Sequence, residues 1–434
     1  MTLGYPVACH RLGNGLRVVV SEDHAAASVT VHVHYDAGSR DERPGRSGLA
    51  HLLEHLMFVG SRNAGPGEHA GLLAACGGRF NGGTAADRTV YFEHLPAGAA
   101  ELALWLEADR MATLHEMLSQ ELLDTQRAVV IQEKYQRYDN VPYGDTDQRL
   151  LALVYPSGHP YHHPVSGSVA DLRAVTLDDV RGFFRACYAP GNAVLAVTGD
   201  VVAKQVLAAA ERYFGPVPAG PARPRIPAVV LEPAAGPARD DAAGAVPSAM
   251  TTAGFRLPAN SVTDPGILAC DLALRILAGG TPSRLHRVLT DELQAAREVR
   301  ARTAPRTRGN SLGVITVPAM PGAGGAVIEK ALADELARLG GGEPGVDVLA
   351  CARAGAEREL LAALSASTGR AAALAYHAAA FGDPGLINTA ASRIAAITPA
   401  QVRQAAATWL RPQCAAIVTT RPAPPPGGRP SPKE

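Results

Sequence analysis

Apolar and β-branched residues cluster or alternate in three early segments, LRVVVSE, SVTVHVHY and RTVYFEHL, and these predict strands. A helical period replaces them in GLAHLLEHLMF, in residues 100–114, in SQELLDTQRAVVIQEKYQRYD and in AKQVLAAAERYF. Two later segments share one plan: VTLDDVRGFFRACYAPGNAVLAVTGD and ITPAQVRQAAATWLRPQCAAIVTTRP. In each, a threonine (Thr176, Thr398) precedes an acid or amide by three residues, then Val-Arg, an aromatic, a proline and an apolar run. Threonine to proline is 14 residues both times, 190 − 176 and 412 − 398. The threonine caps a helix, the proline stops it, and the apolar run is a buried strand.

This repeat predicts a duplicated α+β fold: two homologous α/β sandwich domains, each a mostly antiparallel sheet covered by helices. The expected division is 1–215, a Pro/Ala-rich linker over 216–248, a second domain over 249–421 and a low-complexity, disordered tail over 422–434. Within the linker, IPAVVLE has the make-up of one short strand. A chain of 434 residues suits two domains.

Composition narrows the classes. Hydrophobic residues make up 47% and charged residues 19%, and 41 basic side chains balance 41 acidic ones. That excludes a disordered chain and gives no reason to expect nucleic acid or a membrane surface as partner. The first twenty residues lack the charged and apolar regions of a secretion signal, and no apolar run of membrane-spanning length occurs. Six cysteines with no CxxC spacing read as reduced, mostly buried thiols, so a cytoplasmic protein is expected.

One stretch does not fit a plain core helix. In GLAHLLEHLMFVGS, residues 48–61, His51, Glu54 and His55 interrupt an apolar segment, where unpaired polar groups are costly. Residues i and i+4 of a helix share a face, so His51 and His55 project together with Glu54 at their edge. Two neutral imidazoles so spaced can hold one zinc ion, and a neighbouring carboxylate can take a proton from water activated there. The order His-x-x-Glu-His is the inverted zinc motif. A third protein ligand is needed: the later helical segment offers Glu133, with Glu121 and Asp124 as alternatives. A shift of 222 residues places the second copy's equivalents near Ala273 and Leu277, plain apolar positions. HPYHHP reads as a loop with solvated histidines rather than a second metal site, and Glu93 and His94 read as packed or exposed strand residues.

These motifs resemble those of the zinc peptidases related to pitrilysin, insulin-degrading enzyme and the mitochondrial processing peptidase. GLAHLLEHLMFVGS resembles the family's metal helix, GGRFNGGTAADRTVYFEHLP its substrate-side strand, and RAVVIQEKYQRYDN its second ligand helix. HPYHHPVSGSVADLRAVTLDDVRGFFRACYAPGNAVLAVTGD resembles the end of the catalytic half. The resemblance covers nearly all of residues 8–421. It implies a zinc-dependent endopeptidase with one zinc per chain, held by His51, His55 and Glu133, and Glu54 as general base. It implies an edge strand at Phe80, Asn81 and Thr84 that pairs with an extended peptide by backbone hydrogen bonds.

The chain also departs from the family. A second acid common two helical turns before the distal ligand is replaced by Gln126, which alters the surroundings of the site. An Arg and a Tyr seven residues apart in the second half, which reach substrate in active members, align with Thr290 and Arg297. Arg297 remains a candidate for a substrate carbonyl. Half-length members pair as dimers around a chamber. An intact metal set beside a missing substrate pair therefore implies the zinc-bearing subunit of a heterodimer with a homologous partner, or a homodimer. The competing expectation is a non-catalytic, structural or binding subunit of such a complex.

Overall fold

The structure, a computed structural model, describes residues 3–221 and 227–423. The expected tail from 424 onward and linker residues 222–226 lie outside the described residues. The chain forms two compact units. The first is drawn from the described residues of Met1–Glu133, His163–Ala228 and Gly355–Ala396, the second from the remainder.

In the first unit, β1 (Ala8–Arg11), β2 (Arg17–Glu22), β3 (Ser28–Tyr35), β4 (Arg79–Thr84), β5 (Thr89–Pro96) and β6 (Ala193–Gly199) form one sheet. Its order is β1-β2-β6-β3-β5-β4, antiparallel except for the β2/β6 pair. In the second unit, β7 (Ala238–Gly244), β8 (Met250–Leu257), β9 (Arg300–Ala304), β10 (Ser311–Pro318) and β11 (Ala416–Pro422) follow the order β7-β11-β8-β10-β9. There the parallel pair is β7/β11. The two sheets are thus copies. The starts of β3 and β8 are 250 − 28 = 222 residues apart, and those of β5 and β10 are 311 − 89 = 222 apart. The repeated threonines also act alike: Thr176 Oγ1 accepts from the Asp179 amide at 3.1 Å and Thr398 Oγ1 from the Gln401 amide at 3.2 Å. The expected linker contributes β7, so part of that Pro/Ala-rich stretch is sheet edge.

Alternation along each strand of the first sheet feeds two cores. Val18 and Val20 join the core under helices α1 (Leu49–Met57), α3 (Ala100–Met117) and α4 (Gln120–Lys134), while α2 (Glu68–Ala75) packs through Leu73 with Leu106 of α3 and Phe80 of β4. Val19, Val194 and Ala196 point to the opposite face, packed by the helix Ser367–Phe381 through Ala371, Leu374, Ala375 and Ala378. That helix comes from the second repeat. The helix at the equivalent repeat position, α5 (Thr146–Val154), belongs to the second unit, where Arg149 forks onto Asp240 of β7 and donates to Thr420 of β11. Each sheet is therefore backed by a helix of the other sequence repeat. In the first unit the exchanged helix is anchored by Arg370 on Asp23 at 2.5 Å and by Thr198 Oγ1 donating to the Ser367 carbonyl at 2.8 Å.

Three expectations from the sequence need correction. The described residues of IPAVVLE, 227–232, form no strand but one isolated bridge, Val229 to Gly309. Of the six cysteines only Cys187, Cys270 and Cys414 are buried, and Cys9 and Cys351 are exposed. His159 in HPYHHP is buried rather than solvated, because its ring stacks on Tyr155 at 4.9 Å and its Nδ1 accepts the Tyr161 amide at 3.1 Å. Among the described residues, no helix is long and apolar enough to cross a membrane.

The start of α1 positions everything on it. Gly48 sits at φ 93° with no side chain to cap the helix, and a Cβ there would meet Leu172 Cδ2 at 2.8 Å. The cap comes from a distance: Glu42 Oε2 accepts the Gly48 amide at 3.0 Å and Oε1 the Ala50 amide at 2.7 Å. Burial raises the Glu42 carboxyl well above its ordinary range, against these two amides, which favour the charged form.

Glu42→Ala is expected to cost about 2 kcal/mol in chemical denaturation, since it strands buried amide donors, with Glu42→Gln costing less. A second expectation concerns the exchanged helix. The Arg370 guanidinium holds the Asp23 carboxyl below its ordinary value. The pair therefore stabilises the fold above the ordinary carboxylate range and is lost as pH falls through the lowered value. Thermal unfolding of Asp23→Asn should lie below wild type near neutrality, and the gap should close below about pH 4.

Candidate metal centre

α1 buries Leu52, Leu53 and Leu56 completely against the sheet, which turns its other edge, carrying His51 and His55, toward a less occluded space. The two rings meet edge to face with centroids 4.8 Å apart. Their third neighbour is Glu133, in the last turn of α4. Its Oε2 lies 3.1 Å from His55 Nε2 and 3.8 Å from His51 Nε2. α4 is locked in that phase by Arg127, which donates from Nε to the Leu172 carbonyl at 3.0 Å and from Nη2 to the Val175 carbonyl at 2.7 Å. Of the three acids the sequence offered, Glu121 and Asp124 point elsewhere: both are exposed, and Asp124 is engaged by Arg127 and Gln120.

One ligand atom from each of His51, His55 and Glu133 lies within 4.8 Å of the others, so a single ion of modest radius can reach all three. Two imidazole nitrogens and one carboxylate suit a divalent metal of intermediate softness. The same positions of the second repeat, Ala273 and Leu277, are fully buried apolar residues of the helix Gly266–Ala278.

Glu54 is buried beside this set, and Thr84 at the end of β4 donates its hydroxyl to Glu54 Oε2 at 2.5 Å. Thr84, expected to face a peptide, thus spends its hydroxyl on the carboxylate. Tyr91 and Tyr188 lie near it, their hydroxyls 3.2 Å apart. Burial is the main cause that raises both phenols well above their ordinary value, with the Glu54 charge adding to it, so they stay protonated.

β4 pairs only with β5 among the described residues, so its outer edge is open. Asn81 is exposed on it, and Phe80 is half-buried against Phe58 with centroids 5.7 Å apart. Gly82 is required by close approach, as a Cβ would meet Phe58 Cζ at 2.9 Å. Gln126 is half-buried on α4, two turns before Glu133. Thr290 and Arg297 belong to the second unit, the former in the π-helical turn Arg287–Glu292 and the latter exposed beyond it. The capping carboxylate of Glu42 was invisible to sequence reasoning. Its only local signal is an acid six residues before a glycine that opens a helix (48 − 42).

Comparison with known proteins agrees with this architecture. The model of "Insulinase (Peptidase family M16)" matches residues 17–156 and that of "Peptidase M16 inactive domain" residues 174–347. "Zinc protease PqqE" of Helicobacter pylori is 35% identical over 204 residues, 47% of this chain and 45% of that protein. "Probable mitochondrial-processing peptidase subunit beta" of Schizosaccharomyces pombe is 28% identical over 204 residues, 47% of this chain and 44% of that one. The match thus spans about half the length of these curated relatives. The crystal structure of a protease from Helicobacter pylori superposes with a TM-score of 0.88 at 24% identity, covering 96% of this chain and 100% of that one, and bears on the fold alone. With a duplicated sheet, an inverted His-x-x-Glu-His helix in the first copy and both family models matched over most of its length, the chain belongs to the M16 peptidase family.

Proposed function

We propose that the chain is a zinc-dependent endopeptidase that cleaves peptides or small unfolded polypeptides. One observation carries this reading: His51, His55 and Glu133 converge from two helices beside the buried carboxylate of Glu54. His51, His55 and Glu133 would hold the zinc, one ion per chain. When bound, zinc lowers the pKa of a water to about 7 and polarises a carbonyl. Manganese or cobalt would fit the same donors less selectively.

Glu54 is the general base. Its carboxylate is within one helical turn of both histidines, and the Thr84 hydroxyl occupies Oε2. The carboxylate would take a proton from the attacking water and return it to the leaving amine. The open edge of β4 offers backbone donors and acceptors to an extended peptide, so recognition reads strand shape more than side chains. Names of relatives support the assignment: several are called zinc proteases.

We further propose that the chain works as the zinc-bearing half of a dimer. Thr290 and Arg297 stand where the family resemblance expects an Arg and a Tyr, so a homologous partner supplying that pair would complete substrate binding. A relative named as a "subunit beta" fits such pairing. The same two residues, with Gln126, favour the second reading, a non-catalytic subunit of a complex. The retained His51, Glu54, His55 and Glu133 oppose it.

Purified protein is expected to hold one zinc by elemental analysis, and Glu133→Gln or His55→Ala to lose it. Glu54→Gln should keep the metal while peptide cleavage falls by about 100-fold or more. Retained zinc with unchanged cleavage in Glu54→Gln rejects the assigned base, and metal-free wild type favours the non-catalytic reading. Mixing with a homologous subunit that carries the Arg and Tyr should raise kcat/KM. Full cleavage by the lone chain, unaffected by such a partner, rejects the dimer.

A further inference from the structure

Beneath the substrate-side strand lies a second polar cluster that the reaction does not use. His69 on α2, Glu93 on β5, and Glu107 and Arg110 on α3 are all buried, with side-chain exposures of 6, 1, 0 and 1%. Arg110 forks onto Glu107, donating from Nε at 2.9 Å and also from Nη2, and Nη2 lies 3.5 Å from Glu93 Oε1. His69 Nε2 is 3.7 Å from the same Glu93 oxygen. His69 Nε2, Glu93 Oε2 and Arg110 Nη1 have no hydrogen-bond partner. His69, Glu93 and Glu107 also present converging metal-ligand atoms.

Charge decides what this cluster can hold. Two carboxylates and one guanidinium leave a net charge of −1, since burial keeps the imidazole neutral, its pKa lowered to about 4. A divalent ion would turn −1 into +1 in a site closed to solvent. Burial raises both the Glu93 and the Glu107 carboxyl, and one proton retained on the pair makes the cluster neutral, which is the least costly state there. The cluster is therefore a closed, neutral, oriented network rather than a metal site.

Its surroundings give it a role. Arg110 stacks on the Tyr91 ring at 4.3 Å and on Phe58, the residue that ends α1, at 5.5 Å. Phe80 of β4 is register partner of Glu93. It packs against Phe58 and, edge to face, against the His69 ring, centroids 5.9 Å apart. β4 is thus tied to the metal helix at two points, Thr84 on Glu54 and Phe80 between Phe58 and His69.

We propose that the His69–Glu93–Glu107–Arg110 network is a positioning device that sets the place of a β4-bound peptide relative to the metal helix, with His69 and Phe80 as its contact to the strand. This rests on the peptidase reading for its effect on catalysis, but its effect on β4 itself does not. The residues are positioning residues, since none reaches the metal ligands.

The test uses metal-loaded full chain with its partner where required, a quenched fluorogenic peptide, and hydrogen exchange without substrate. His69→Ala should speed exchange of the β4 amides, Arg79 to Thr84, by about 10-fold, as local opening becomes easier. It should raise KM by about 10-fold with kcat within about 2-fold, the mark of weakened positioning of bound substrate rather than lost chemistry. His69→Phe keeps the ring contact and should return both quantities to within about 3-fold of wild type. Glu93→Gln, a near-isosteric change, should leave the catalytic zinc in place and loosen β4 in the same direction. Unaltered β4 exchange in both His69→Ala and Glu93→Gln overturns the proposal, as does a loss confined to kcat. A second metal ion per chain that disappears in Glu93→Gln overturns the charge assignment and makes the cluster a metal site. If wild type cleaves no peptide, the peptidase reading fails and β4 exchange alone decides the positioning role. If His69→Ala does not fold, the other two variants decide it.

Discussion

The constraint on which the molecule turns is the cost of placing polar groups on an apolar helix. α1 buries three leucines completely, and the same two turns carry two imidazoles and a carboxylate. Such groups are tolerated when they meet partners rather than hydrocarbon. Here His51 and His55 face Glu133, and Glu54 receives the Thr84 hydroxyl. The helix that presents them is held from outside by a buried carboxylate, because the glycine that lets it approach Leu172 cannot cap it. The tight space at Gly48 therefore makes the geometry of the whole centre depend on Glu42, at the start of the loop that leads into α1.

The second repeat shows what the same scaffold looks like without that constraint. Its helix Gly266–Ala278 has Ala273 and Leu277 where the histidines stand, and both are fully buried. The strands keep their order and their single parallel pair. Sheet and capping threonines are thus matters of folding, whereas the polar set on α1 is superimposed on one copy. The exchange of α5 and Ser367–Phe381 between the repeats means that neither sheet is completed by its own sequence half. The anchoring is polar and specific, through Arg370 and Asp23 in one unit and Arg149 and Asp240 in the other.

Polar order continues below β4. The buried His69 meets the ring of Phe80 and Arg110 the rings of Phe58 and Tyr91, and Phe58 and Phe80 are the rings through which α1 and β4 touch. A hydrophobic filling would serve packing as well, since buried ion pairs seldom add net stability. What a polar network adds is direction, because the fork of Arg110 onto Glu107 and its approach to Glu93 fix one arrangement of α3 and β5.

Much of this was written locally in the chain. The period-2 and period-3.6 patterns define β2, β3, β5, α1 and α3, and the 14-residue spacing from threonine to proline declares the duplication, since capping and chain termination act over single turns. The i, i+4 histidines announce a shared face for the same reason. Other features depend on residues far apart in sequence. Glu133 was the sequence's candidate for the third ligand with Glu121 and Asp124 as alternatives, and it is the phase of α4, fixed by Arg127 on the Leu172 and Val175 carbonyls, that brings Glu133 to the histidines, 78 residues after His55 (133 − 55). The burial of His159, the strand Ala238–Gly244 inside the Pro-rich stretch and the exchange of helices had no local signal, and the cap from Glu42 had only the acid six residues before Gly48 (48 − 42). The chain by itself determined which segments become strands and helices and where polar chemistry interrupts them. Tertiary structure decided which of those groups meet, because burial and long-range hydrogen bonding act on space and not on sequence.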